Sequence, residues 1–434
     1  MRTSLQGIAK KAASDRKYRF RNLFGMLNEE LLRDCWRGIR KNAAYGVDRV
    51  SAREYERDLE GNIKRLVDRL KSKSYRAKLV RRQYIPKGPG KVGTRPLGIP
   101  AVEDKLLQLA VARLLTAIYE QDFLRCSYGY RPGIGALDAV DKLTIKLQFG
   151  RYEHVVEADV KGFFDNVDHD WVVRMLSERI DDRALLWLIR KWLKAGVLDT
   201  DGMVLHPVAG TPQGGIVSPV IANVYLHYAL DLWFHKVVKP RCQGEACLIR
   251  YADDFVCAFE ERTEADAFYS VLGQRLKKFG LELSPEKTRV IPFDRTTHAG
   301  RTSFEFLGFE FRWGRDRSGK AHLKRRTARK KLRGSLSRFT AWCRENRHLK
   351  RKELFAQLNV KLRGYYNYYG VSGNSASLQE FFTHAMRILL KWLNRRGQRH
   401  SYNWAGFRQA LEHFQVIRPR IVGRPRARLG ASLA

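Results

Sequence analysis

Three carboxylates stand out for what surrounds them. Asp159 ends the short apolar run His154-Val-Val-Glu-Ala158, and Asp253 and Asp254 lie between two more, Ala246-Cys-Leu-Ile-Arg-Tyr251 and Phe255-Val-Cys-Ala-Phe259. An isolated aspartate at a strand end is most simply a cap or a solvated turn. A double aspartate between two apolar runs is different, because adjacent carboxylates repel and a hairpin turn ordinarily favours Asn-Gly or Asp-Gly. If the strands are neighbours in one sheet, the three acids converge. Such a cluster is costly unless a cation neutralises it, and Mg²⁺ takes oxygen ligands of this kind while keeping positions for water and substrate phosphates. Two such ions roughly 3.5–4 Å apart clamp the attacking and leaving oxygens of an in-line phosphoryl transfer. The chemistry to expect is nucleotidyl transfer.

The elements that must hold these acids follow from apolar periodicity. His154 to Asp159 reads as a strand, and Ala246 to Phe259 as a β-hairpin with Asp253 and Asp254 at its tip. Ahead of them, the first 80 residues show helical spacing in Leu23-Phe24-Leu27-Leu31-Leu32 and Leu59-Ile63-Leu66-Val67-Leu70. The Gly- and Pro-punctuated stretch from Tyr84 to Pro100 suits short strands around a tight loop with three basic side chains, Lys87, Lys91 and Arg95. Asp104 to Glu120 reads as a buried helix, a further helix starts near Asp170, and Glu264 to Phe279 is amphipathic. Ser284-Pro285 opens a short helical turn, and Phe304 to Phe311 alternates like a strand. From about Lys320 the pattern is helical, basic and aromatic, with a boundary expected between Trp313 and Lys320, where Gly314, Ser318 and Gly319 interrupt the periodicity.

Charge narrows the partners. The 434 residues, 44% hydrophobic and 29% charged, provide for two or three ordinary domains and exclude wholesale disorder. Lys plus Arg number 82 against 45 Asp plus Glu, a net charge of +37 that a polyanion would offset. From Arg312 onward, 30 basic residues face only 5 acidic ones. Lys324, Arg325 and Arg326 with Arg329, Lys330, Lys331 and Arg333 fall on helical spacing opposite Leu323, Leu332 and Leu336, one basic face and one apolar. Tyr365, Tyr366, Tyr368 and Tyr369 could stack on unpaired bases or form a helix's buried face, with core packing favoured for at least two. The six cysteines have no framework spacing and the opening residues no apolar signal core, so a reduced, intracellular protein is expected. Cys242 and Cys247 lack a second pair and read as structural thiols, and prolines interrupt the longest uncharged stretch, which excludes a membrane span.

At this point the sequence resembles the reverse transcriptases, and among them the proteins encoded by bacterial group II introns. Tyr251-Ala252-Asp253-Asp254 and Ala158-Asp159-Val160-Lys161-Gly162-Phe163-Phe164-Asp165 match two signature motifs. Arg95-Pro-Leu-Gly-Ile-Pro100, Ser127-Tyr-Gly-Tyr-Arg-Pro132, Gly210-Thr-Pro-Gln213-Gly-Gly-Ile-Val-Ser-Pro219, the Lys287 turn and Phe306-Leu-Gly-Phe309 follow in the family's order. Arg363-Gly-Tyr-Tyr-Asn-Tyr-Tyr-Gly370 and the basic helices after it are similar to the maturase region.

The resemblance implies an α+β right-hand polymerase, fingers and palm with an antiparallel palm sheet, followed by an all-helical basic thumb/maturase domain. Its divisions would be 1–80, an N-terminal helical extension and the start of the fingers, then 81–312 for fingers and palm, and 313–434 for the thumb/maturase region. It implies Asp159 and Asp253 as ligands of two Mg²⁺ ions, supported by Asp254 and the Val160 carbonyl. Phe164 would be the steric gate that excludes a 2′-hydroxyl and selects dNTPs. Lys87 and Arg95 would hold the triphosphate, Gln213 would lie at the nascent base pair, and Lys287 would protonate or orient the leaving pyrophosphate. Arg395, Arg396, Arg399 and the Arg418–Arg428 cluster would contact phosphates of intron RNA. Partners would be intron RNA, an RNA template with its DNA primer, and target DNA, in a monomer or a homodimer. No Cys/His-rich nuclease segment follows the tail, so second-strand cleavage is not expected, and retrohoming by target-primed reverse transcription would need another primer source. Two other roles stay open: a splicing-only RNA chaperone with a vestigial palm, and a domesticated polymerase of repair or defence.

Overall fold

The apolar runs around the three aspartates are strands of one sheet. The structure is a computed structural model that describes residues 4–86, 93–206, 209–211, 214–296, 300–316, 318–397 and 401–422. In chain order the strands are β1 (Val80–Pro86), β2 (Thr94–Ile99), β3 (His154–Asp159), β4 (Val197–Leu198), β5 (Val204–Leu205), β6 (Ala246–Tyr251), β7 (Asp254–Phe259), β8 (Arg289–Pro292), β9 (Phe304–Phe306), β10 (Phe309–Arg315) and β11 (Ala321–Thr327). They form three sheets in the orders β2-β1-β4-β5, β6-β7-β3-β8 and β11-β10-β9. The mixture of helix and strand, with an antiparallel sheet carrying the acids and a helical C-terminal region, is the expected α+β class.

The chain divides into two compact units, residues 1–86 with 94–291, and 87–93 with 292–434. In the first, β7 lies between β6 and β3 and pairs antiparallel with both, so its Phe255 to Phe259 are all buried. This explains why β7 reads as a continuous apolar run rather than an alternating one, since both faces of a central strand are covered; Ala246 to Arg250 of the edge strand β6 are buried as well. The helix Arg262–Lys277 packs on β3 and β7, and Ala136–Phe149 on β6. Around them lies a core that includes the helix Val102–Tyr119, where Leu106, Leu107, Val111, Leu114 and Ile118 are fully buried. Each such side chain contributes about 1.5–3 kcal/mol by leaving water.

The second unit differs from expectation in two places. Phe304 to Phe311 is not one strand but β9 and β10, antiparallel around a two-residue turn in which Leu307 and Gly308 have φ of 50° and 83°. Residues 321–327 are not helical either. They form β11, paired with β10 so that Trp313 faces Leu323 and Phe311 faces Arg325, and the expected boundary from Trp313 to Lys320 is the β10–β11 hairpin. The helical region begins at Arg329, with helices Arg329–Asn346, Arg351–Tyr369, Ser375–Leu393 and Trp404–His413 around their own apolar core. The tyrosine cluster belongs mostly to packing: Tyr366 is buried, Tyr365 stacks on Phe381 at 3.7 Å, and Tyr368 and Tyr369 lie against Phe309.

A buried ion pair ties the β6–β7 turn to its surroundings. Arg250 and Asp231 are both 0% exposed, with Arg250 Nε donating to Asp231 Oδ1 at 2.7 Å and Nη2 to Oδ2 at 2.5 Å. The same guanidinium donates to the Ala252 carbonyl at 3.0 Å, the Ser127 hydroxyl at 2.8 Å and the Asn223 side-chain carbonyl at 3.2 Å. Asn223 in turn donates to the Gly129 carbonyl at 2.6 Å. Asn223 and Asp231 lie along one continuous helical stretch that starts as α-helix Ser218–Leu226 and widens to π-helical geometry over His227–Asp231. In a regular α-helix, at roughly 100° per residue, Asp231 would point about 80° away from Asn223. The wider i→i+5 turn brings it back to the face that meets Arg250.

Removing one partner strands the other charge in the core, so Asp231→Ala should lower unfolding free energy by about 3–5 kcal/mol. The double replacement Asp231→Leu with Arg250→Met should cost less than either truncation alone. Chemical denaturation of the purified variants checks this; losses below about 1 kcal/mol, as at a surface pair, would contradict it.

Candidate active site

Register places the acids. Antiparallel pairing of β3 with β7 sets Asp159 directly opposite Asp254, and pairing of β7 with β6 sets Asp254 opposite Tyr251. Between Tyr251 and Asp254 only Ala252 and Asp253 turn the chain, and Ala252 takes a left-handed φ of 56°, unusual for a residue with a Cβ. The turn is held from outside as well as by Arg250. Gly129 lies so close to it that a Cβ there would overlap the Ala252 amide, which is why this motif position is a glycine.

The electrostatics are those of crowded acids. Burial raises the Asp253 carboxyl pKa, the neighbouring Asp159 carboxylate raises it further, and its own backbone amide, Arg250 and Lys287 pull it back. Lys287 Nζ lies 2.7 Å from Asp159 Oδ2. It is carried there by the 3₁₀ turn Pro285–Lys287, whose preceding Ser284 amide donates to the Asp159 carbonyl at 2.8 Å. Val160 is buried and bridges to Leu283 beside this turn. Among the described residues no three His, Cys, Asp or Glu side chains are gathered tightly enough to form a ready metal cage. The arrangement is instead two closely placed acids and an exposed third, Asp254, with an ammonium already drawn to one of them.

The neighbouring motifs pack around this centre. Phe164 is partly exposed, its ring edge-on to buried Phe163 at 5.3 Å and its carbonyl accepting from the Thr211 amide at 2.8 Å. His169 Nε2 lies 2.7 Å from the Gly210 carbonyl, a second tie between the two segments. Gly214, with φ of 117°, sits where a Cβ would strike the Gly98 carbonyl, so its turn lies against β2. Arg95 is exposed on β2 opposite Ile85. Half-exposed Tyr130 connects it to the acids: burial raises its phenol pKa, Asp253, Tyr251 and Asp254 raise it further, and Arg95 lowers it.

Asp159, Val160, Asp253, Asp254 and Lys287 are therefore brought together, with Arg95 in electrostatic reach of Tyr130 beside them, while Phe164 packs on Phe163 and is tied to Thr211 in the adjoining segment. Lys87, Gln213, Arg399 and Arg424 to Arg428 lie outside the described residues. Of the basic residues expected on a nucleic-acid face, Arg329, Lys330 and Arg333 are exposed on the first turns of helix Arg329–Asn346, and Arg395 is exposed against Trp392. Lys324 and Arg325 are corrected from helix to strand, and alternation along β11 turns Arg325 inward, 8% exposed, to donate to the Ser372 carbonyl at 3.2 Å. Arg396 is half-buried and donates to the Leu349 carbonyl.

Sequence reasoning missed the residues that hold the turn: Ser127, Asn223, Asp231 and Arg250. A signal existed. Arg250 is a cation inside an otherwise apolar strand, and Asp231 is an acid at the end of an apolar helical run, and each is intelligible only with a buried partner.

Comparison with known proteins agrees with this geometry. Residues 85–311 match the reverse transcriptase (RNA-dependent DNA polymerase) family, and residues 330–410 the group II intron maturase-specific domain. The chain is 32% identical over 408 residues to group II intron-encoded protein LtrA of Lactococcus lactis subsp. cremoris, a match spanning 74% of this chain and 65% of that protein's length. It is 30% identical over 375 residues to protein YkfC of Escherichia coli (strain K12), spanning 77% of this chain and 94% of that one. A stretch of 165 residues is 40% identical to an uncharacterized 91 kDa protein in the cob intron of Schizosaccharomyces pombe, 38% of this chain and 20% of that one. The first match covers more than half of the chain and contains the strands that bear Asp159, Asp253 and Asp254, so the chain belongs to the reverse transcriptase family and carries the group II intron maturase-specific domain behind it.

Proposed function

We propose that this protein is an RNA-directed DNA polymerase of a group II intron that also binds the intron RNA as a maturase and supports retrohoming by target-primed reverse transcription. It would act in the cytoplasm, at the nucleoid when engaged with target DNA. The observation that carries the reading is the register that puts Asp159 opposite Asp254 and beside Asp253.

The residues fit divalent cations. Burial and the adjacent Asp159 carboxylate both disfavour the charged form of Asp253, a penalty that a hard cation would relieve, and oxygen donors are what such a cation prefers. Asp159 and Asp253 would hold two Mg²⁺ ions, with Asp254 and the Val160 carbonyl in support; bound there, they supply charge neutralisation at the attacking and leaving oxygens. The chain's own groups do the rest. Arg95 binds the triphosphate of the incoming dNTP from β2, where its exposed guanidinium faces the same neighbourhood as Tyr130 and the acids. The Phe164 ring, fixed by Phe163 and by the Thr211 amide on its carbonyl, closes the space a 2′-hydroxyl would need. Lys287, now paired with Asp159, is placed to turn its ammonium to the departing pyrophosphate and to lend it a proton. In the second unit, Arg329, Lys330 and Arg333 present a cationic face to intron RNA.

The test is extension of a DNA primer on an RNA template with dNTPs and Mg²⁺. Wild-type protein should extend it and Asp253→Ala should not, while RNA binding by the variant stays within about twofold. Loss of both activities together would contradict the separation of catalytic from binding surfaces, and no extension by the wild type would favour the chaperone reading.

Phe164→Ala should raise ribonucleotide incorporation at least about tenfold relative to deoxyribonucleotide, measured as the ratio of kcat/KM values. An unchanged ratio would remove Phe164 from the gate.

A further inference from the structure

Beyond the phosphate-binding faces, the second unit contains a cleft of about 310 Å³ between helices Ser375–Leu393 and Trp404–His413 and the segment leading to Arg418. That is the lower end of the roughly 300–1,000 Å³ range of small-ligand sites. Its floor is apolar: Phe382, Met386, Phe407 and Leu411 are each at most 5% exposed. On its rim stands Trp404, half exposed, and it is the one exposed aromatic ring among the described residues of this unit. Its edge contact with Phe407, ring centroids 6.0 Å apart, leaves much of the indole uncovered.

Three arginines complete the rim. Arg387, Arg408 and Arg418 are all exposed, and among the described residues none of them makes an ion pair. Arg418 is held in place over the Phe382 ring, 5.3 Å from its centroid. At the mouth, the Gln379 amide nitrogen and the Thr383 hydroxyl, 3.4 Å apart, provide donors and acceptors. An apolar slot under one aromatic plane, with polar groups on one side and three cations around it, suits a flat heteroaromatic ring joined to an anion. Charge argues against the chain's own last residues as occupant, because Arg424, Arg426 and Arg428 would repel the same rim.

We propose that this cleft takes an unpaired nucleotide of the bound RNA, its base against Trp404 over the apolar floor and its phosphate on Arg387, Arg408 and Arg418. The proposal rests on the reading of this unit as RNA-binding. It adds a device that reads structure rather than charge: a duplex keeps its bases stacked inside, and only a bulged or looped nucleotide can enter.

Fluorescence anisotropy with three labelled RNA hairpins tests it: fully paired, with one bulged adenosine, and with an abasic residue in that bulge. Full-length wild-type protein should bind the adenosine bulge about tenfold more tightly than the other two, the scale of stacking on one aromatic ring. Trp404→Ala should abolish that preference while leaving affinity for the paired hairpin within about twofold, and Trp404→Phe should retain most of it. Arg408→Gln, a change on the surface, should reduce the preference as well. Equal wild-type affinity for all three hairpins, or a preference that survives Trp404→Ala, would overturn the cleft assignment alone; failure of the wild type to bind any of them would overturn the RNA-binding reading with it. The same bulge in a DNA hairpin distinguishes the source, and a Trp404-dependent preference confined to DNA would overturn the assignment to RNA.

Discussion

Like charges do not stay together unless something stronger than their repulsion fixes the backbone that carries them. Here that constraint is the fully buried Arg250–Asp231 pair. Arg250 stands two residues before Ala252, and its guanidinium donates to the Ala252 carbonyl within the β6–β7 turn while Asp231 anchors it from the neighbouring helical stretch. Ser127 and Asn223 use its remaining donors, and Asn223 passes the connection to Gly129, which packs on the Ala252 amide. Three segments distant in sequence, 127–129, 223–231 and 250–252, thereby meet at one turn, the turn that carries Asp253 toward Asp159. A buried pair of this kind is a weak contributor to net stability but a strict one for geometry, since either charge alone in the core is costly.

The remaining parts of the site depend on that placement. Pairing of β3 and β7 aligns Asp159 with Asp254, and the Ser284 turn, hydrogen-bonded to the Asp159 carbonyl, brings Lys287 to the same carboxylate. The site is thus assembled from a sheet register and two turns rather than from a helix or a flexible loop. Precision of this type is what nucleotidyl transfer needs, because most of the catalysis comes from positioning and charge stabilisation.

Much of this was legible in the sequence, and the exceptions have physical reasons. The three acids, the β6–β7 hairpin and the buried helix Val102–Tyr119 were visible because apolar runs of strand and helix length carry their own period. The switch from strand to helix near Arg329 was not: Leu323, Arg325 and Thr327 alternate inward in β11, but the basic residues among them also fit a helical face. The β9–β10 turn was hidden because Leu307 takes a left-handed conformation that a leucine does not advertise. Arg250 and Asp231, 19 residues apart, could be seen as misplaced charges, yet their pairing needs the π-helical turn at His227–Asp231, which no local pattern announces. Charge at residue level was similarly ambiguous. Composition assigned the basic tail to a polyanion, whereas burial removes Arg325 from the surface and leaves Arg329, Lys330 and Arg333 on it.

The central claim is that β3 and the β6–β7 turn together form one divalent-cation site. Its most direct test is hydroxyl-radical cleavage of the polypeptide by Fe²⁺ bound in place of Mg²⁺, with the fragments located by mass spectrometry. The account predicts cuts clustered near residues 159–161 and 251–255, suppressed by excess Mg²⁺ and absent in Asp159→Ala. Cleavage scattered along the chain, or a cluster elsewhere that persists in Asp159→Ala, would contradict it.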